Sequence, residues 1–278
     1  MQSRRFRQVD VFASAPYRGN PVAVVVDGEG LDDAQMMAFT RWTNLSEATF
    51  ILPPCDARAD YRLRIFTAAR ELPFAGHPTV GSAHAWLEAG GVPASEDTVV
   101  QECGAGLITI RRDGEWLAFA APPLRREGPV SADLAGRIVR GLRMDPGWVR
   151  AIRWVDNGPG WIGVLLDSAC HVLDLEIDRG LLHGLDVGVI GAHPEVGPAD
   201  FEVRAFFTGD EVFEDPVTGS LNASLAQWLI GEGIAPPRYR VRQGTTIGRA
   251  GIVDIAKDGA RIWVGGACVT CIAGSVQL

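Results

Sequence analysis

The chain has 278 residues, 47% of them hydrophobic and 22% charged, with a net charge of −8. Enough apolar residues are present for a sizeable core in one large or two ordinary domains. The negative balance argues against nucleic acid and anionic membrane as bulk partners.

Val9 to Phe12 and Pro21 to Val26 read as strands. Asp32 to Thr43 carries apolar residues at helical spacing (Met36, Met37, Phe39, Trp42), with Asp32 placed to cap it. Ala48 to Leu52 and Tyr61 to Phe66 alternate as strands do. Pro78 to Ala89 reads as a helix stopped by Gly90-Gly91. Strands return at Val99 to Gln101, Leu107 to Arg111 and Trp116 to Ala120, the last two joined through Asp113-Gly114. Pro122-Pro123 to Gly128-Pro129 marks a boundary. The expected domains are therefore 1–124 and 125–278, with the final strand free to return to the first. Ala132 to Leu142 then reads as helix, and Trp148 to Val155, Trp161 to Leu166 and Phe201 to Phe207 as strands. Pro216 to Ile230 follows as helix, and Arg240 to Arg242, Gly251 to Ala256 and Arg261 to Val264 as strands.

The chain repeats one statement. Arg64-Ile65-Phe66-Thr67 precedes His77-Pro78-Thr79-Val80-Gly81-Ser82-Ala83-His84-Ala85. Arg204-Ala205-Phe206-Phe207-Thr208 precedes Phe213-Glu214-Asp215-Pro216-Val217-Thr218-Gly219-Ser220-Leu221-Asn222-Ala223. The helices that follow are apolar nearly all round and should be buried. Short strands with one buried helix in each half imply an α+β fold of two pseudo-symmetric domains, each a barrel-like sheet around a central helix. Equivalent positions of such halves face one cleft.

Proline suits the first helical position. His77 and Asp215 are thus expected just before each helix, where unpaired N–H groups attract a carboxylate. Gly76, Gly81 and Gly219 would let a ligand approach the backbone. Helix capping alone would account for Asp215, and a lone histidine is more often structural. As a functional group, His77 has an ordinary pKa suited to proton transfer near neutral pH. Glu47 begins a strand, where an exposed glutamate is ordinary. Its apolar flanks could instead bury it and raise its pKa to a useful value. No GxGxxG, GxxxxGK[ST], GxSxG or HExxH pattern occurs. Five scattered cysteines suit a reducing cytoplasm, and Cys268-Val269-Thr270-Cys271 lacks partners at metal spacing. No secretory signal or membrane span is read.

Asp10-Val11-Phe12, Gly19-Asn20-Pro21-Val22-Ala23-Val24, Asn44-Leu45-Ser46-Glu47, Glu71-Leu72-Pro73-Phe74-Ala75-Gly76-His77-Pro78, Gln101-Glu102-Cys103-Gly104 and Glu214-Asp215-Pro216-Val217-Thr218-Gly219-Ser220 resemble the PhzF-like family of phenazine-biosynthesis isomerases. The resemblance spans essentially the whole chain. It implies a diaminopimelate epimerase-like fold, isomerase activity without cofactor or metal, a small-molecule carboxylate substrate and a homodimer. It makes Glu47 the proton-shuttling acid/base, and His77 and Asp215 the groups that polarise the substrate. Gly76, Gly219 and Ser220 become carboxylate sites, and Asn20 and Ser46 further substrate-binding positions. Ala68 stands where proline is usual and Ala48 where threonine is common. Related racemases place two cysteines at the helix starts. Cys55 and Cys103 lie elsewhere, so a two-thiol racemase is not expected. A two-base epimerase and a non-catalytic binding protein remain as alternatives.

Overall fold

The computed structural model describes every residue except Glu195, Val196, Asp210 and Glu211. The side chains of Val212 and of Phe213, a member of the repeated motif, also lie outside the description. The chain divides into two units, Met1–Ala120 with Gly265–Leu278, and Ala121–Val264.

The first unit contains β1 (Ser3–Val11), β2 (Asn20–Val25), α1 (Asp33–Thr43), β3 (Ala48–Leu52), β4 (Tyr61–Phe66), β5 (Glu71–Leu72), α2 (Gly76–Glu88), β6 (Thr98–Cys103), β7 (Gly106–Asp113) and β8 (Trp116–Ala120). The second contains β9 (Arg126–Pro129), α3 (Ala132–Gly141), β10 (Val149–Asp156), β11 (Trp161–Leu166), α4 (Ala169–Leu173) and α5 (Arg179–Leu182). It continues with β12 (Asp186–Ala192), β13 (Phe201–Thr208), β14 (Val212–Asp215), α6 (Gly219–Gly231), β15 (Arg238–Gln243), β16 (Gly251–Asp258) and β17 (Arg261–Gly266). The final strand, β18 (Cys268–Gln277), pairs with β1 and belongs to the first unit.

One pairing scheme serves both units. In the first, β18, β1, β2, β3, β4, β6 and β7 adjoin in that order. In the second, β9, β10, β11, β12, β13, β15 and β16 do. The senses are antiparallel, antiparallel, parallel, antiparallel, parallel and antiparallel in each. Parallel neighbours cannot be joined by a tight turn, so each parallel step requires a crossover. The second crossover of each unit carries the central helix, α2 or α6. A short strand, β5 or β14, is appended to β4 or β13 on the way.

The sheet of the first unit wraps α2, which touches β1, β2, β3, β4, β6, β8 and β18. Its residues from Gly76 to Ala83 are all buried, as expected for a helix without a polar face. On the other side of the sheet, α1 seals Phe50, Phe66 and Met36 into a smaller core. There Phe6, Phe39, Phe50 and Phe66 meet edge-on. The second unit repeats this layering. α6 lies on one face, and Ile138, Leu142, Val172 and Leu182 from the short outer helices lie over Ile162, Val164, Val187 and Val189 on the other.

The repeated Arg-x-Phe now has a cause. Residues two apart on a strand share a face, so Arg64 lies over the Phe66 ring at 4.9 Å and Arg204 over Phe206 at 5.0 Å. Each guanidinium also grips a glutamate on the appended strand with two bonds. Arg64 reaches Glu71 at 2.8 and 2.7 Å, and Arg204 reaches Glu214 at 3.0 and 2.8 Å.

Three expectations change. Helix α2 begins at Gly76, so His77 and Pro78 lie inside its first turn rather than before and at its start. Helix α6 begins at Gly219, so Pro216 precedes it and Asp215 ends β14. Gly81 serves packing rather than ligand approach, because a side chain there would strike Val22 and Val11. The Cys268–Cys271 pair lies on β18 as free thiols. The register against β1 skips Cys271, which sits at a bulge, whereas Cys268 pairs with Val11. Among the described residues, no helix is long and apolar enough to cross a membrane.

Candidate active site

Glu47 immediately precedes β3, and its carbonyl accepts from Ala23 N–H at 3.4 Å. That bond ties the residue to the parallel neighbour β2. Two residues further on, Thr49 turns inward and its hydroxyl meets Ser82 of α2 at 2.8 Å. Period-two alternation gives Glu47 the same inward face, one step toward the start of α2. There Glu47 Oε2 stands 3.3 Å from His77 Nε2, with the two side chains 15% and 8% exposed. A glutamate on the surface is thus not what forms. The approach is a close polar contact rather than an aligned hydrogen bond.

Burial pushes the His77 imidazole down to about 3, because desolvation disfavours its charged form. The sequence expectation of a group titrating near neutrality is corrected. His77 stays neutral, and the charge of the pair follows the Glu47 proton.

Gly76 is buried at the first position of α2. Asn20, buried at the start of β2, follows a loop fastened by Asp10, whose carboxylate accepts from Arg18 and Gly19 N–H at 2.7 and 2.9 Å. Ser46 is exposed beside Glu47.

In the second unit Asp215 is 5% exposed and accepts from the Thr218 hydroxyl. It is not the cap of α6, since the residue at that position is Thr218. Gln243 Oε1 accepts from Thr218 N–H at 3.0 Å and from Asn222 at 2.9 Å. Its amide donates to Asp215 O at 3.1 Å and to Thr218 Oγ1 at 2.8 Å. Ser220, in the first turn with buried Gly219, accepts from Trp161 Nε1–H at 3.0 Å, and its carbonyl from Asn157 at 2.8 Å. Sequence reasoning missed Gln243, Trp161 and Asn157. A glutamine in a strand of each half, Gln101 and Gln243, was the available signal. Gln101 likewise reaches the first turn of its helix, through Thr79 Oγ1 at 3.1 Å.

The two central helices share a second property. Side chains cap α1 (Asp32), α3 (Ser131), α4 (Ser168) and α5 (Asp178), whereas neither α2 nor α6 has a side-chain cap bond. A buried helix start without a cap leaves N–H donors and partial positive charge for an anion. Cys55 is exposed and Cys103 half-buried, its thiol pushed up by burial. Neither occupies a helix start.

A family model described as phenazine biosynthesis-like protein (PhzC-PhzF) matches residues 9–274. Antisense-enhancing sequence 1 of Schizosaccharomyces pombe is 34% identical, over 99% of this chain and 99% of its own. Trans-2,3-dihydro-3-hydroxyanthranilate isomerase of Pseudomonas aeruginosa is 32% identical, over 92% of this chain and 91% of its own. The crystal structure of a PhzF-family phenazine biosynthesis protein from Enterococcus faecalis shares the fold, with a TM-score of 0.84, 24% identity and full coverage of both chains. The chain belongs to the phenazine biosynthesis-like family and is an enzyme of its isomerase type.

Proposed function

We propose that this enzyme moves a proton between carbons of a small cyclic or amino-acid-like carboxylate, without a cofactor, and that Glu47 carries the proton. Glu47 as carboxylate removes a proton from an activated carbon. The electron pair moves into the conjugated system, and the Glu47 carboxylic acid returns the proton to another carbon. The observation that carries this reading is the buried Glu47–His77 contact at the uncapped start of α2.

A neutral His77 can donate to or accept from Glu47 in either protonation state, so the pair works without a buried ion pair forming and breaking. Gly76, Gly219 and Ser220 offer N–H groups to the carboxylate. Asp215 with Thr218 holds a polar group of the substrate, and Asn20 and Ser46 complete its surroundings. The same reading expects a homodimer in the cytoplasm, the former checked by light scattering.

The test is deuterium incorporation from deuterated water, followed by mass spectrometry. The panel comprises trans-2,3-dihydro-3-hydroxyanthranilate and other cyclic and amino-acid carboxylates, with wild type compared against Glu47→Gln. Exchange that the variant loses supports the proposal. Exchange that survives in Glu47→Gln, or a folded wild type inert across the panel, overturns it. Inversion at the exchanged carbon with the double bonds unmoved would identify an epimerase instead.

A further inference from the structure

The segment that presents Asp215 leans on a turn far along the chain. β12 covers one edge of β13, and β14 and β15 share the other, end to end. Ala205 to Thr208 pair with β14, and Phe201 to Val203 with the end of β15. The chain leaving β14 at Asp215 therefore meets the chain leaving β15 at Gln243. The fit is tight. A side chain at Gly244, which has φ 89°, would strike the Pro216 carbonyl, and one at Gly251 would strike Val217. Gln243, opposite Val203, faces inward, where it bonds Thr218, Asn222 and the Asp215 carbonyl.

The next two polar side chains reach the other face of the sheet. Glu202 shares that outer face of β13 with Arg204 and Phe206, and Phe206 lies in the core under the outer helices. The Thr245 hydroxyl donates to Glu202 at 2.5 Å, and the Thr246 hydroxyl to Glu214 at 2.6 Å. Both acceptors are anchored independently. Glu202 is 1% exposed and stands 3.1 Å from His193 Nε2. Glu214 is the carboxylate that Arg204 grips. A hydroxyl given to a buried carboxylate makes a strong bond that is costly to remove. The matching turn of the first unit takes another route. There Ala105 N–H donates to the Pro73 carbonyl at 3.0 Å, and Glu102 accepts from Cys55 and Asp56 N–H.

We infer that Thr245, seated on Glu202, is a positioning residue of the second unit. Through Gln243 it sets where Asp215 and Thr218 stand, and so tunes substrate affinity without taking part in proton transfer. This rests on the reading that Asp215 with Thr218 holds a polar group of the substrate.

The experiment compares Thr245→Val and Thr245→Ser with wild type, each alone and combined with Asp215→Asn, in the full-length protein. Valine keeps the shape and removes the hydroxyl, and serine restores it. Amide hydrogen exchange followed by mass spectrometry needs no substrate. In Thr245→Val, protection of the peptide containing Thr218 should fall roughly tenfold, the size of one hydrogen bond to a charged group, with protection elsewhere held. KM is measured for deuterium incorporation into the panel carboxylate that wild type exchanges fastest. It should rise about tenfold in Thr245→Val with kcat unchanged. Serine should restore both readouts. The double variant Thr245→Val with Asp215→Asn should match Asp215→Asn alone, because residues acting as one unit are not additive.

Unchanged Thr218 protection in Thr245→Val overturns the inference, as does an unchanged KM beside a raised KM in Asp215→Asn. So do KM effects that multiply in the double variant or that serine leaves in place, since a general loss of packing would produce them. A wild type inert across the panel, or an Asp215→Asn variant with wild-type KM, counts instead against the substrate reading. Hydrogen exchange then judges the positioning by itself.

Discussion

The starts of α2 and α6 follow the same residue pattern and are built differently. In the first unit the strand β5 ends at Leu72, and Gly76, His77 and Pro78 already belong to the helix. In the second unit β14 runs to Asp215, paired with Ala205, and the helix waits until Gly219. Proline fits either arrangement, because the first helical turn does not need its missing N–H. A neighbouring strand makes the difference. Gln243 takes both Thr218 N–H and Asp215 O and holds that stretch extended, whereas Gln101 reaches α2 through the Thr79 side chain and accepts from the Tyr61 hydroxyl with its oxygen. The repeat therefore preserves the frame and varies what the frame presents. One unit offers a histidine inside a helix turn against a glutamate, and the other an aspartate at a strand end against a threonine.

Function should divide unequally along that contrast. Glu47→Gln is expected to lower proton exchange by about 10²–10⁴-fold, the usual contribution of a positioned acid/base. Asp215→Asn keeps the shape and the acceptor for Thr218, and should act mainly on KM. Steady-state kinetics of the two variants check this, and a larger kcat loss in Asp215→Asn would reverse the assignment.

Stability against pH should also single out the first unit. His77 titrates at about 3 in the fold and near 6.5 when unfolded. Between those values the unfolded chain binds the extra proton. Its contribution is thus whole above pH 6.5 and is lost as pH falls toward 3, up to about 5 kcal/mol over that window at 1.36 kcal/mol per unit. Urea midpoints from pH 7 to pH 4 should fall less steeply in His77→Gln than in wild type. Parallel slopes would refute the buried neutral imidazole.

The two arginine clamps differ in burial and in their further partners, Arg64 also pairing with the exposed Asp33 at 2.8 Å. Arg204 and Glu214 are 7% and 10% exposed, against 17% and 42% for Arg64 and Glu71. Arg204 also donates to Val172 and Leu175 carbonyls. Arg204→Met strands a buried carboxylate and should destabilise by about 3 kcal/mol or more, whereas Arg64→Met should cost roughly 1 kcal/mol or less. Equal shifts in denaturant midpoint would mean that burial is not what separates the copies.

Much of this was legible in the chain because each signal was local. The motif beginning Arg-x-Phe exposed the two-fold plan, apolar runs exposed the buried helices, and Asp32 marked the start of α1 as the capping residue it is. The stretch between Leu166 and Phe201 was not read. Helices α4 and α5 span one turn each, too short for periodicity. Strand β12 is broken by Gly188 and Gly191, which are glycines because Leu221 and the Ser168 carbonyl press against them. The neutrality of His77 and the extended start before α6 were out of reach for a related reason. They depend on burial and on Gln243, which lies 28 residues after Asp215.

The smallest expected effect probes what the two starts have in common. Ala75 occupies the cap position of α2 with extended backbone, φ −150° and ψ 140°, the geometry a capping residue needs. Ala75→Ser should therefore supply the missing cap and raise stability by about 1 kcal/mol, as serine caps do elsewhere. If those N–H groups are left open for a substrate carboxylate, the hydroxyl will compete with it. KM should then rise severalfold while kcat holds, in the trade of stability against function that active sites show. Thermal melts and KM on the same samples decide the matter. A stabilised variant with unchanged KM would mean that the open start of α2 binds no carboxylate, and would leave α6 as the place to look.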